Sequence, residues 1–307
     1  MTRTSKKSWL PQERLLVALL FAVTFFFIPG AGSPFVLPKF FILLIGALLL
    51  SAFAISYQRI EFDQKTKIVY FALTFFWLGF LWASLSSHTV YSALLGEYNR
   101  MNGLAMYTAL ILIVFSVSNL FTIISINRLL NSIIVCAVLV SGYGFIQKAG
   151  LDPINWVTTS SSFISFLGNS NYVSAYLGIA SVVAFLQIIL NRNESKKTLS
   201  YLVVTVFLLI STVSSGSQQG LFAFAGGTLV ISLTAVYQKK RTLFYSGLLL
   251  GIIGGIATIF GLLGSGPISI FLKQRTLAYR GDYMWTGWNM ALLLCRHALF
   301  APFSSCK

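Results

Sequence analysis

The stretch FVLPKFFILLIGALLLSAFAIS, residues Phe35–Ser56, decides the fold class. A helix needs roughly 20 mostly apolar residues to cross a bilayer, and this stretch supplies them. Leu15–Gly30 precedes it and is of the same kind. Ile68–Ser86, Leu104–Ser125, Leu129–Gln147, Tyr172–Leu190, Leu199–Ser214, Leu221–Tyr237 and Thr242–Gly264 follow it. The expected fold is all-α, a polytopic membrane protein of about nine transmembrane helices. A basic stretch, Arg3, Lys6 and Lys7, precedes the first span as it would in a signal peptide. Bulky phenylalanines then stand where a small-residue cleavage site belongs, so the segment reads as a span. Only Gly216–Gly220 separates the seventh and eighth spans, which predicts a helical hairpin or a break in one of the two. There is no room for a soluble domain between spans, and no fixed-period repeat.

Composition supports this reading. Of 307 residues, 56% are hydrophobic and 9% charged, and mean hydropathy is +0.81. Soluble chains carry about 45–50% apolar and about 25% charged residues. A soluble enzyme, a disordered tail and a fibrous protein are excluded. The net charge of +15 comes from 22 Lys and Arg against 7 Asp and Glu. With so few charges overall, the excess points to loops held at a cytoplasmic leaflet and not to nucleic acid. Cys136, Cys295 and Cys306 have no ligand-like spacing. The ligands for a zinc site are lacking, and nothing in the spacing supports a Cys295–Cys306 disulfide.

Lys and Arg set the expected orientation. With the N-terminus in the cytoplasm, the inside segments before residue 265 hold 14 of them and the outside segments 3. Positive-inside then predicts residues 1–14 as a cytoplasmic segment, 15–264 as the membrane domain and 265–307 as an extracytoplasmic tail. The inside connections Tyr57–Lys67, Ile126–Arg128, Asn191–Thr198 and Gln238–Arg241 are short and basic. The outside ones, Ser87–Gly103, Lys148–Asn171 and the tail, are longer and more varied. Function usually sits where the chain is irregular but specified, so the working face is expected outside.

Five segments there carry candidate chemistry. In Gly96–Gly103, Arg100 presents a planar fork suited to phosphate or carboxylate; the ordinary reading is a headgroup anchor, or a partner for Glu97. Gly150-Leu151-Asp152-Pro153 is a turn signal. Gly168-Asn169-Ser170-Asn171 is a turn followed by a helix cap, or a helix N-terminus aimed at an anion. Ser214–Gly220 is a polar island, which reads either as a tight interfacial turn or as polar groups held at membrane depth. Gly247, Gly251 and Gly255, every fourth residue, predict close helix packing. In the tail, Lys273, Arg275 and Arg280 with Trp285 and Trp288 form either an interfacial anchor or an anion site.

In order, these segments resemble the O-antigen ligase and polymerase family of polytopic bacterial glycosyltransferases. The resemblance runs through Gly96–Gly103, Gln147 with Gly150–Pro153, Gly168–Tyr172 with Tyr176-Leu177, Ser215–Gly220, and Arg280, Tyr283, Trp285 and Trp288, covering about residues 35–290. It implies a GT-C-like architecture lacking its last spans. It also implies inverting transfer of a glycan from a polyprenyl-diphosphate carrier to a lipid, glycan or protein acceptor, at the outer face of the inner membrane. No metal or cofactor is implied. The leaving group is a diphosphate, so fixed cations must stabilise growing negative charge, and a base must take the acceptor proton. By the resemblance, Arg100 and Arg280 contact the diphosphate, and Asn169, Asn171, Gln218 and Trp285 line the site. Gln218 stands where many members have Arg. After Met290 the chain departs from the family's Pro-Leu-x-Gly-x-Gly stretch, and its ending reads as a truncated or frameshifted frame without the catalytic loop. His297 does not match the family's base, and His88 reads as interfacial. The competing expectations are a non-catalytic transporter or flippase of lipid-linked glycans, and an inactive product.

Overall fold

The computed structural model describes residues 9–57, 64–87, 89–120, 123–154, 163–237 and 240–262, together with 286 and 289. Among these, every regular element is helical: α1 Pro11–Phe25, α2 Val36–Tyr57, α3 Gln64–Leu85, α4 Val90–Leu95, α5 Leu104–Leu120, α6 Ile123–Lys148, a 3-10 turn Ser165–Leu167, α7 Ser170–Leu190, α8 Ser195–Ser214, α9 Gln219–Tyr237 and α10 Arg241–Leu262. Seven of them, α2, α3 and α6–α10, are long and apolar enough to cross a membrane. The protein is a multi-pass membrane protein by that measure.

The two other expected spans are short. Helix α1 has 15 residues and α5 has 17, roughly 22 and 25 Å at 1.5 Å per residue, against a hydrocarbon core of about 30 Å. The first span, expected over Leu15–Gly30, starts earlier, with Pro11 in its first turn, and stops at Phe25. The chain then turns extended at Phe26, and the Ile28 amide donates to the Pro34 carbonyl. The fourth span, expected to reach Ser125, is described as far as Leu120, and Ile123–Ser125 belong to α6. Ile126–Arg128, expected as a loop, lies inside α6, because Arg128 docks on α1 instead of on water. The loop expected at Ser87–Gly103 contains α4.

The chain forms two compact units, Met1–Thr228 and Leu229–Lys307. In the first, α7 packs most extensively on α8, α2 on α5 and α1, and α6 on α7. One core joins Ala137 and Val140 of α6, Phe163, Val173 and Leu177 of α7, and Leu208 of α8; a second joins Leu16, Leu19 and Leu50 of α1 and α2. Several helical hydroxyls are satisfied by their own helix, although the buried Ser141 hydroxyl has no partner. Ser51, Ser116 and Ser181 donate to the carbonyls four residues back, and Ser51 also meets Ser116 across α2 and α5 at 3.2 Å. Such interhelical hydroxyl contacts suit an apolar solvent. Outward faces are bare apolar surface: Phe71 and Phe75 of α3 are 75% and 73% exposed, as lipid-facing residues are. In the second unit, the Leu233 and Leu229 side chains lie over Gly247 and Gly251, and Tyr237 meets Phe244 edge-to-face. Of the three spaced glycines, Gly247 and Gly251 therefore face leucine side chains, whereas a Cβ at Gly255 would meet nothing within 4 Å.

At one end of the first unit, termed the upper end, the end of α1, the start of α2, the Gly96–Gly103 loop, the 3-10 turn and the start of α7 come together. At the lower end, Arg128 of α6 pairs with Glu13 of α1 at 2.6 Å, and Tyr201 of α8 donates to Asn131 of α6 at 3.1 Å.

Candidate functional site

The upper end contains a cavity of about 320 Å³. Its walls come from five places: Val23 of α1; Phe35, Lys39, Phe40 and Leu43 at and after the start of α2; Arg100 and Met101 of the loop; Met106 of α5; and Leu167 and Tyr172 around the start of α7. The lining is apolar except for two cations and a tyrosine.

Each wall is held by local geometry. The loop after α4 folds back on itself, with the Gly103 amide donating to the Leu95 carbonyl at 3.3 Å. The Arg100 and Met101 amides both donate to the Glu97 carbonyl, at 2.8 and 2.7 Å. This bend puts Met101 in a left-handed conformation, φ 45°, with its side chain buried in the cavity wall. A non-glycine residue there is strained and is retained only when its surroundings impose it. Arg100 stands at the mouth. Its Nε lies 3.4 Å from Glu97 Oε2, with both side chains 68% exposed. The ordinary reading of Arg100 as a partner of Glu97 is therefore present in the structure. Such an exposed pair is worth only about 0–1 kcal/mol, so an anion could take the guanidinium at small cost.

The opposite wall hangs on Asp152. Its carboxylate accepts from the Tyr143 hydroxyl at 2.8 Å, from Gln147 Nε2 at 2.8 Å and from the Ile154 amide at 3.0 Å. Gln147 Oε1 in turn accepts from the Ser165 amide at 2.6 Å, and the Tyr143 ring stacks on Phe166. The Gln147…Asp152 motif is thus a brace that fixes the 3-10 turn. Gly168 follows with φ 72°, and the Phe35 ring fills the space its side chain would need. Only glycine satisfies both demands.

The brace delivers a carbonyl. Phe166 O accepts from Lys39 Nζ at 2.7 Å, and Thr24 O, in the last turn of α1, accepts from the same nitrogen at 3.0 Å. The Phe35 ring lies 5.9 Å away. In the sequence Lys39 reads only as an outside cation. The available signal was a lysine within an apolar span, since intramembrane ionisable residues are costly and usually functional.

The other expected site residues separate. Asn169 is exposed and caps α7, its side chain accepting from the Asn171 amide at 2.8 Å. It does not line the cavity, and neither does Asn171, although Tyr172 beside them does. Gln218 is at the start of α9, next to Ser217, whose carbonyl accepts from Ser174 Oγ at 2.7 Å. It is not among the cavity's lining residues, and the polar island is a tight turn packed onto α7. Arg280, Trp285, Trp288, His88, His297, Cys295 and Cys306 lie outside the described residues. Among the described residues, no group of three His, Cys, Asp or Glu could hold a metal. Comparison with protein-family models, curated proteins and solved structures returns no match.

The brace makes a prediction. Asp152→Ala should lower the melting temperature of the purified protein, because three donors lose an ionised acceptor and each such bond is worth about 1.5–3 kcal/mol. Asp152→Asn should lie between the two, since one carbonyl oxygen still accepts. Equal melting temperatures for Asp152→Ala and the unaltered protein would show that the brace is idle.

Proposed function

We propose that the protein is a membrane glycosyltransferase-like protein of cell-surface polysaccharide assembly, transferring a glycan from a polyprenyl-diphosphate carrier to an acceptor as ligase or polymerase. In this reading the N-terminus is cytoplasmic and the upper end faces outward from the inner membrane. The observation that carries it is the cation-lined cavity at the end where the resembling segments Gly96–Gly103 and Gly168–Tyr172 meet. As the bond from sugar to carrier breaks, negative charge collects on the leaving diphosphate. Cations placed where that charge develops stabilise it more than they stabilise the ground state. Arg100 takes this role. Among the described residues no His, Asp or Glu lines the cavity. That observation favours a second reading, a transporter or flippase that binds the lipid-linked glycan without chemistry.

Vesicles containing the purified chain, a polyprenyl-diphosphate-linked glycan and a lipid acceptor test both. Glycan appearing on the acceptor supports the transferase. Arg100→Ala should then reduce turnover about tenfold or more, since a charge-assisted contact is worth about 1.5–3 kcal/mol and about 1.4 kcal/mol is a decade. Movement of the carrier between leaflets without glycan transfer would establish the transporter instead. Transfer undiminished by Arg100→Ala would leave that residue as a partner of Glu97 alone.

A further inference from the structure

We propose that Lys39 is the inner cation of a binding site for an amphiphile with a phosphate or diphosphate head, the head resting at Nζ and the apolar stem against Phe40, Leu43 and Val23. This deepens the carrier reading above, but the site would exist whether or not glycan is transferred.

The argument starts from cost. Lys39 is three residues into a helix of membrane-spanning length and composition. An ammonium there must be compensated or it destabilises the fold. The structure compensates it only in part. Two of its three protons go to the carbonyls of Thr24 and Phe166, and an ammonium has three donors and no acceptor. Carbonyl dipoles orient the charge without neutralising it. Among the described residues no carboxylate pairs with Lys39: the acids in ion pairs are Glu97, Glu13 and Glu194, each with another partner. One donor and a full positive charge are therefore left at a cavity wall.

The rest of the cavity defines the ligand. The second cation, Arg100, is at the mouth, and among the described residues no acid lines the wall. The site therefore selects an anion. Leu43 lies one helical turn beyond Lys39, and Phe40, Val23 and Met106 join it, so the space beside the cations is apolar. A small hydrated anion would leave that surface wet. A lipid with an anionic head matches both halves at once. The carbonyl clamp also holds Nζ before the ligand arrives, so little side-chain freedom is lost on binding.

The test uses the full chain in nanodiscs of phosphatidylcholine, with binding followed by native mass spectrometry. The probes are a polyprenyl diphosphate, phosphatidic acid and inorganic pyrophosphate. Saturable binding of at least one anionic lipid is expected, with pyrophosphate at least tenfold weaker. Lys39→Met, which keeps the stem and removes the charge, should weaken lipid binding at least tenfold, and Lys39→Arg should recover part of it. Preference for the polyprenyl diphosphate supports both this site and the carrier reading. Equal, Lys39-dependent binding of phosphatidic acid supports the site and counts against the carrier reading. Unchanged binding in Lys39→Met overturns the proposal, and pyrophosphate binding as tightly as lipid overturns the amphiphile. Lys39→Met also frees two carbonyls and could loosen the fold, so the unaltered protein supplies a second measurement. Bound lipid should protect Lys39 from reductive methylation, and labelling at the same rate with and without lipid would overturn the assignment.

Discussion

Replacing Gly220 with alanine should remove much of the protein's stability, whereas the same replacement at Gly226, six residues along α9, should increase it. Helix propensity alone favours both changes, by about 1 kcal/mol each. The surroundings separate them. A Cβ at Gly226 meets nothing within 4 Å. A Cβ at Gly220 would overlap the Ser174 carbonyl oxygen and come within 2.6 Å of Thr212 Cγ2, and Gly178 on the facing helix would in turn strike the Gly220 backbone. Backbone against backbone leaves no flexible group to yield. Overpacking of this kind costs about 1–3 kcal/mol. Forcing α9 off α7 also breaks the bonds that Ser174 Oγ makes, accepting from the Gly220 amide at 3.0 Å and donating to the Ser217 carbonyl at 2.7 Å. Each buried group left unsatisfied adds about 1–3 kcal/mol. The total approaches the whole stability of a typical domain, about 5–15 kcal/mol. Thermal unfolding in detergent would report it, and equal melting temperatures for Gly220→Ala and Gly226→Ala would remove the argument.

The same contact shows what a sequence can display. Ser215–Gly220 reads as a tight turn because its residues are small, polar and flanked by apolar runs, and a tight turn is what forms. The apolar stretches likewise mark where the seven long apolar helices and the shorter α1 and α5 lie, since apolarity over a run of residues is a local property. Asn169 reads as a cap for the same reason, as its partner is two residues away. What sequence could not show is pairing at a distance. Ser174 and Gly220 are 46 residues apart, Lys39 and Phe166 are 127 apart, and Arg128 and Glu13 are 115 apart. Lys39 binds backbone carbonyls, which every residue carries, so no residue type announces its partners. Helix ends depart from the apolar runs where apolar residues do something other than continue the helix. Phe26, Phe27 and Ile28 prolong the apolar run beyond α1, yet the chain there is extended and its rings cover the upper end.

The pairing of Arg128 with Glu13 carries the second large effect. Glu13→Ala should destabilise the protein by about 3 kcal/mol, the lower part of the range for breaking a buried pair, about 3–5 kcal/mol. The lower part applies because the Arg128 side chain keeps 22% of its exposure while Glu13 keeps 5%. The carboxylate does two things. Oε2 accepts from Arg128 Nη1 at 2.6 Å and from the Leu10 amide at 3.1 Å, closing the first turn of α1. The guanidinium also lies over the Trp9 ring, 4.9 Å from its centroid. Arginine cannot discharge itself by losing a proton, so removing Glu13 leaves a charge that only rearrangement can rehydrate. Leucine at both positions removes the charge and the need for it together. The double variant Glu13→Leu, Arg128→Leu should therefore recover most of the loss, as apolar replacements of buried pairs commonly do. The site gives an independent readout. Helix α1 is too short to hold its depth in a bilayer by length alone, and it carries Val23 and the Thr24 carbonyl to the cavity at its other end. Loosening its lower end should weaken anionic-lipid binding in Glu13→Ala, and the double variant should restore it. Binding that falls in the single variant and stays low in the double would show that the charge pair itself, and not the seating of α1, matters to the cavity.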